Sequence, residues 1–300
     1  MSDSASTRRR GSHRAAFLAA VAAFGLAACV KVEQTVAAPA QGPLAKAPDG
    51  RRLQLTFADE FDTFRPYRHG KGVWRTVFRD GKPNHLTDLR SLPGNKERQL
   101  YLDEDFPGIS AQWPALDPFS VAGGVLTISA RPAPQGLEAK LGGYRYVSGL
   151  ITTQPSFSQT YGYFEMRAKL PQGKGMWPAF WLLPADLSWP PELDVVESIG
   201  DASEVYFTAH SQLGSPPAVK VAVDPDAFHV FSVSWDPKAI VWYVDGREVK
   251  RQPTPADMSK PMYMLANLAV GGGWPGDPDD TTPWPGAYRI DYIRAYRFAP

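Results

Sequence analysis

The sequence predicts an all-β, antiparallel sandwich, and three observations carry that prediction. Short β-type runs bounded by Gly, Pro, Asp and Asn recur from Leu53 to the C-terminus. Several of them alternate apolar and polar residues at the period of two that a strand imposes. Few windows hold helical spacing beyond a turn or two, and strands do not alternate with helices as they do in a parallel sheet. In chain order the runs open with LQLTF, RQLYL, GVLTISA and YVSGLITT. YGYFEMRAKL follows, where Tyr163, Glu165, Arg167 and Lys169 fall on one face and Phe164, Met166, Ala168 and Leu170 on the other. EVYFTAH, HVFSVSW and AIVWYV come next, and YRIDYIRAYRF closes the chain. Val244-Asp245-Gly246-Arg247 places Asp-Gly between two β runs, the strongest short hairpin signal. No repeat of fixed period interrupts this pattern, so one large domain accounts for it.

Composition narrows the function classes. Hydrophobic residues make up 43% and charged residues 21%, a globular balance. Lys and Arg number 32 against 31 Asp and Glu, for a net charge of +1. That leaves no electrostatic footprint for nucleic acid or an anionic membrane. A single cysteine, Cys29, excludes an internal disulfide framework and a cysteine-based zinc site.

The N-terminus reads as an address. Arg8, Arg9, Arg10 and Arg14 precede the apolar run AAFLAAVAAFGLAA, which ends at Cys29. A basic region, a short apolar run and small residues describe an export signal over residues 1–28. The tetrad Leu26-Ala27-Ala28-Cys29 resembles a bacterial lipobox, which implies lipidation of Cys29; ordinary cleavage near Ala28 is the alternative. Residues 29–51, rich in Ala, Pro, Gly and Lys, read as a tether, and 52–300 as the domain.

The chemistry concentrates in Pro191-Glu192-Leu193-Asp194-Val195-Val196-Glu197. On a strand Glu192 and Asp194 share a face, about 6–7 Å apart at ~3.3 Å per residue. Glu197, five positions beyond Glu192, points the other way in a regular strand. A β-bulge near Val195–Val196 absorbs one residue and returns it to the same side, and such bulges are common beside active sites. Like charges packed together raise each other's pKa, so that at least one acid stays protonated. Glycoside hydrolysis uses that conflict, because it needs an ionised and a protonated carboxyl flanking one bond. A solvent-facing acidic strand is the plainer reading, but the flanking MWPAFWLL and EVYFTAH are strongly apolar.

ELDVVE resembles the active-site signature of glycoside hydrolase family 16, in the longer form with two residues between the Asp and the last Glu. The resemblance runs from Phe57 to Tyr296: LITTQPSFSQTYGYFEMRAKLPQGKGMWPAFWLLP, WYVDGREV, PMYMLANLAVGGGWPG and RIDYIRAY keep the family's order. Members similar in pattern are bacterial endo-β-glycanases that trim exopolysaccharides, such as succinoglycan depolymerases, beside lichenases and laminarinases. The resemblance implies a concanavalin A-like β-jelly-roll sandwich of two curved antiparallel sheets with a concave substrate cleft. It makes Glu192 the nucleophile and Glu197 the general acid and then base. Asp194 lies between them and tunes the nucleophile.

Trp177 and Trp181, an even number of positions apart, share a strand face; core packing satisfies that as well as the sugar-stacking role the resemblance implies. His210, Asn267 and Trp274 resemble family residues around the cleft, with Gly271–Gly273 allowing close backbone approach. Asn95, Arg98 and Arg167 are further positions for sugar hydroxyl contacts. Glu60 and Asp291 resemble a structural calcium site, and no cofactor is expected for catalysis. The expected activity is retaining endo-hydrolysis of β-1,3 or β-1,4 bonds in a β-glucan or exopolysaccharide. A transglycosylase on the same fold, or a lectin-like module that needs the groove but not the carboxylates, are the alternatives. The expected partner is the polysaccharide alone, with membrane contact only through a lipid anchor on an exported, monomeric chain.

Overall fold

A computed structural model describes residues 42–78, 87–104, 106 and 116–300. The export segment, Cys29 and the tether as far as residue 41 lie outside the described residues. The strands are β1 (Leu53–Asp59), β2 (Gln99–Tyr101), β3 (Phe119–Ala122), β4 (Val125–Pro132), β5 (Tyr146–Ser148) and β6 (Leu150–Thr152). Then come β7 (Gly162–Lys169), β8 (Met176–Pro184), β9 (Glu192–Glu197), β10 (Glu204–His210) and β11 (Val219–Ala222). β12 (His229–Trp235), β13 (Ala239–Val244), β14 (Arg247–Pro253), β15 (Met262–Val270) and β16 (Gly286–Phe298) complete the set. All belong to one compact unit, residues 39–300.

They form two sheets. The larger runs β14-β13-β12-β7-β16-β4-β5-β2, with β1 on β16 and β3 on β4. The smaller runs β11-β10-β9-β8-β15-β6. Pairing is antiparallel except between β2 and β5. The chain changes sheet at Gly149, between β5 and β6, so YVSGLITT is two short strands in different layers.

The expected alternation in β7 holds. Phe164, Met166, Ala168 and Leu170 enter the core between the sheets, where Phe180 and Leu182 of β8 and Leu193, Val195 and Val196 of β9 join them. Burial of such side chains contributes about 1.5–3 kcal/mol each. The predicted hairpin is present: Val244 pairs with Arg247, and Asp245 and Gly246 both take positive φ, 49° and 76°. A two-residue turn of that hand matches the twist of the flanking strands.

The outer face of the larger sheet is not simply solvated. Ala47 is buried there with Tyr163, Val241, Tyr243 and Tyr296, and the Leu44 N–H donates to Tyr296 Oη at 3.2 Å. Lys46 bridges to Arg52. Residues 44–51, read from composition as tether, therefore pack as part of the domain. A tyrosine-rich sheet face needs cover, and small, turn-forming residues supply it.

Candidate active site

The smaller sheet turns one face to the core and the other to a cleft of about 870 Å3. β8 divides by parity: Phe180 and Leu182 go to the core, while Trp177, Trp181 and Leu183 line the cleft. β9 cannot divide so simply. Against β8, Ala179 pairs with Glu197, Phe180 with Val196 and Trp181 with Asp194, so Val195 has no partner. Against β10, Tyr206 pairs with Glu197 and Thr208 with Asp194. This is the bulge expected at Val195–Val196. Both valines point into the core, and Glu197 lines the cleft together with Glu192.

The three acids have different surroundings. Glu192 is partly exposed, and its Oε2 accepts the indole N–H of Trp189 at 2.7 Å. Glu197 Oε1 accepts the indole N–H of Trp177 at 3.0 Å. Burial, then the neighbouring charge of Asp194, hold the Glu197 carboxyl well above the usual range; the Trp177 hydrogen bond offsets part of this. Asp194 is 2% exposed, and its carboxyl is pushed well up by burial and then by Glu192. Its Oδ2 is buried without a hydrogen-bond partner and lies 3.3 Å from His210 Nε2, which is 3.9 Å from Glu192 Oε1.

Residues 120–294 match the model of the glycosyl hydrolases family 16. This chain belongs to the glycosyl hydrolases family 16. It is 46% identical over 249 residues to the endo-1,3-1,4-beta-glycanase ExsH of Rhizobium meliloti (strain 1021), covering 81% of this chain and 52% of that protein. To EglC of the same strain, also an endo-1,3-1,4-beta-glycanase, it is 45% identical over 250 residues with the same coverage. The chain thus spans about half the length of these two relatives. Among solved structures, the laminarinase catalytic domain from Thermotoga maritima MSB8 matches with TM-score 0.67 at 32% identity, covering 83% of this chain and 99% of that one. The endo-beta-1,3-glucanase from Pyrococcus furiosus matches with TM-score 0.68 at 28% identity, over 86% and 99%. The two-sheet architecture is the β-jelly roll expected.

In this family 16 chain His210, Trp274 and Asn95 line the cleft, and the Asn95 carbonyl accepts the Gly273 N–H at 2.9 Å. Gly272 has φ 131°, and a Cβ there would meet Trp177 at 3.1 Å and the Asn95 carbonyl at 3.2 Å, so the close approach needs glycine. Trp181 belongs to both cleft and core: it lines the cleft, yet is only 8% exposed and clusters with Phe78 and Tyr101.

Other expectations need correction. Asn267 does not line the cleft; it lies buried behind Trp181, accepting its indole N–H at 2.7 Å and donating to Tyr101 Oη at 2.9 Å. Asn267→Ala is therefore expected to act on stability, by about 2 kcal/mol, because it leaves a buried donor, the Trp181 N–H, and a buried acceptor, Tyr101 Oη, without this partner. Urea unfolding checks this; unchanged stability with weakened polysaccharide binding would restore the cleft role. Arg98 turns away to Asp277 at 2.9 Å, in a separate small pocket with Gly142, Tyr144 and Arg145. Arg167 sits on the other sheet, paired with Asp291 at 2.5 Å, because β7 lies between β12 and β16.

The calcium donors do not assemble either. Arg294 takes both oxygens of Glu60, each at 2.7 Å, and Arg167 takes Asp291. Carboxylates already neutralised by guanidinium groups are a poor donor set for a divalent cation. Among the described residues, the acid and histidine atoms close enough to share an ion are those of Glu192, Asp194 and His210.

Four contributors to the cleft escaped the sequence reading: Trp189, Tyr263, Leu92 and Pro93. Trp189 is 65% exposed in the loop before β9, where strand parity has no meaning, although its place three residues before Glu192 was a signal. Tyr263 and the Leu92–Pro93 wall reach the cleft from segments distant in sequence.

Proposed function

We propose that this domain is a retaining endo-β-glycanase that hydrolyses internal β-1,3 and/or β-1,4 bonds of a β-glucan or exopolysaccharide. The observation that carries the reading is the bulge at Val195, which turns Glu197 to the same cleft as Glu192. In the first step Glu192 attacks the anomeric carbon while the bond to the leaving sugar breaks, and Glu197 gives its proton to the departing oxygen. In the second, Glu197 takes a proton from water, the water oxygen bonds to the anomeric carbon, and Glu192 leaves.

The surroundings support this division of labour. With Trp189 on Oε2, Glu192 keeps Oε1 for the attack. Burial first, and then the negative charge that Asp194 and Glu192 share, favour a protonated Glu197, the form a general acid needs. A neutral Asp194 beside Glu192 can donate a hydrogen bond to the nucleophile until the attack is made. The exposed rings of Trp189 and Trp274 suit the apolar faces of sugars. Outside the domain, the proposal includes export by residues 1–28 and an anchor on Cys29; lipid labelling lost in Cys29→Ala is the check.

Incubation with lichenan, laminarin and succinoglycan-type polymers should give oligosaccharides from at least one, with fast loss of viscosity. No cutting of any would overturn the proposal, and products longer than the starting chains would favour transglycosylation. The pH profile follows from the raised Glu197 pKa. As pH rises the acid form is lost only above the usual carboxylate range, so kcat/KM should fall on an alkaline limb well above the normal glutamate pKa. A fall centred at that normal value would contradict the acid assignment.

A further inference from the structure

The bulge makes Glu192 and Glu197 share a face, and a bulge disrupts the backbone ladder around it. Two carbonyls there take donors from the opposite sheet. Trp242 on β13 donates Nε1–H to the Asp194 carbonyl at 2.7 Å. Lys250 on β14 donates from Nζ to the Phe207 carbonyl at 2.8 Å, with the Pro217 carbonyl at 3.5 Å. Phe207 stands between Tyr206 and Thr208, which pair with Glu197 and Asp194, so it faces the extra residue of the bulge.

Lys250 is an unusual residue to spend on a hydrogen bond. It is 8% exposed, and its Nζ lies 4.7 Å from the centroid of the Trp242 ring. Among the described residues no ion pair holds it. An ammonium buried without a carboxylate partner costs stability, and an apolar side chain of similar volume is often neutral or stabilising in its place. Its charge is nevertheless felt. Lys250 favours the ionised form of Asp194, against burial and Glu192, and Asp194 favours the protonated Lys250 against desolvation.

We propose that Lys250 is a positioning residue for the carboxylates, clamping β10 across from the bulge and supplying a positive charge against the negative one that Glu192 and the buried Asp194 share. This deepens the proposed glycanase reading and rests on it. Around Asp194 stand Glu192 and Glu197 on its own strand and His210 on β10, 3.3 Å from Oδ2, while the charge of Lys250 acts on it from the larger sheet. β8 contributes Trp177 and Trp181, which do not titrate.

The test compares Lys250→Met, Lys250→Gln and Lys250→Arg in the full chain. Lys250→Met should lower kcat about 10-fold with KM within about twofold, a loss confined to the chemical step. Its acid limb should move to higher pH, because the charge that favours carboxylate ionisation is gone. Its Tm should hold or rise. Lys250→Gln keeps a donor without the charge and should show the same limb shift with a smaller fall in kcat. Lys250→Arg should keep the wild-type limb. Wild-type kcat and acid limb in both the Met and Gln variants would overturn the proposal; if the Met variant does not fold, the Gln and Arg variants decide. Carbon-13 titration of the side-chain carboxyls gives an answer without activity: the pair should titrate higher in Lys250→Gln, and an unchanged titration would overturn the inference. Inactivity of the wild type on every β-glucan would instead sink the glycanase reading and leave that titration to judge Lys250.

Discussion

Glu192→Gln is expected to lose turnover by on the order of 10⁴-fold or more while still binding polysaccharide. The amide keeps the size of the carboxylate, and it still offers an oxygen to the Trp189 N–H that holds Glu192 at 2.7 Å. What disappears is the anion that attacks the anomeric carbon. The cleft walls stay in place, because the core beneath β9 is made by Leu193, Val195 and Val196 rather than by the acids. Affinity electrophoresis in gels containing the polymer measures binding, and reducing-end assays measure turnover. A variant that kept more than a few per cent of wild-type rate would show that Glu192 is not the nucleophile.

Glu197→Ala should act differently on two kinds of substrate. Natural polysaccharide has a leaving oxygen that needs a proton, so its cleavage should fall by about 10²–10⁴-fold. An aryl glycoside with an activated leaving group needs little protonation, and Glu192 should still form the glycosyl-enzyme with it. The intermediate then lacks a base to activate water. Azide needs no base, and should speed turnover and yield a β-glycosyl azide. The loss also frees the Trp177 N–H that sits 3.0 Å from Glu197 Oε1, a minor cost beside an open cleft. An α-azide from Glu192→Ala, with no rescue of Glu197→Ala, would reverse the two roles.

Strand parity carried much of this site, and its limits explain the misses. A separation of five positions from Glu192 to Glu197 is the wrong parity for one face, so the sequence demanded a bulge, and Val195 is the unpaired residue. Parity assigns a face within a strand, however, and says nothing about which sheet the strand joins. Arg167 alternated correctly along β7 and still came to rest away from the cleft, on the larger sheet. In β15 every residue from Met262 to Val270 is buried, so alternation could not mark Asn267 as a bridge rather than a sugar contact. YVSGLITT read as one run because nothing in its hydrophobic pattern marks the change of sheet at Gly149. Lys250 sits in REVKRQP, a run as rich in charge as an exposed edge strand; only the packed sheets bring its ammonium to Phe207.

The central claim is that Glu192 and Glu197 face one bond from the same side of β9, as nucleophile and acid. The anomeric configuration of the first product tests it most directly, followed by proton NMR during the initial minutes of hydrolysis, before mutarotation. Double displacement through Glu192 predicts a β-configured reducing end that decays to the equilibrium mixture. An α-configured first product would mean direct attack by water, and would contradict the account.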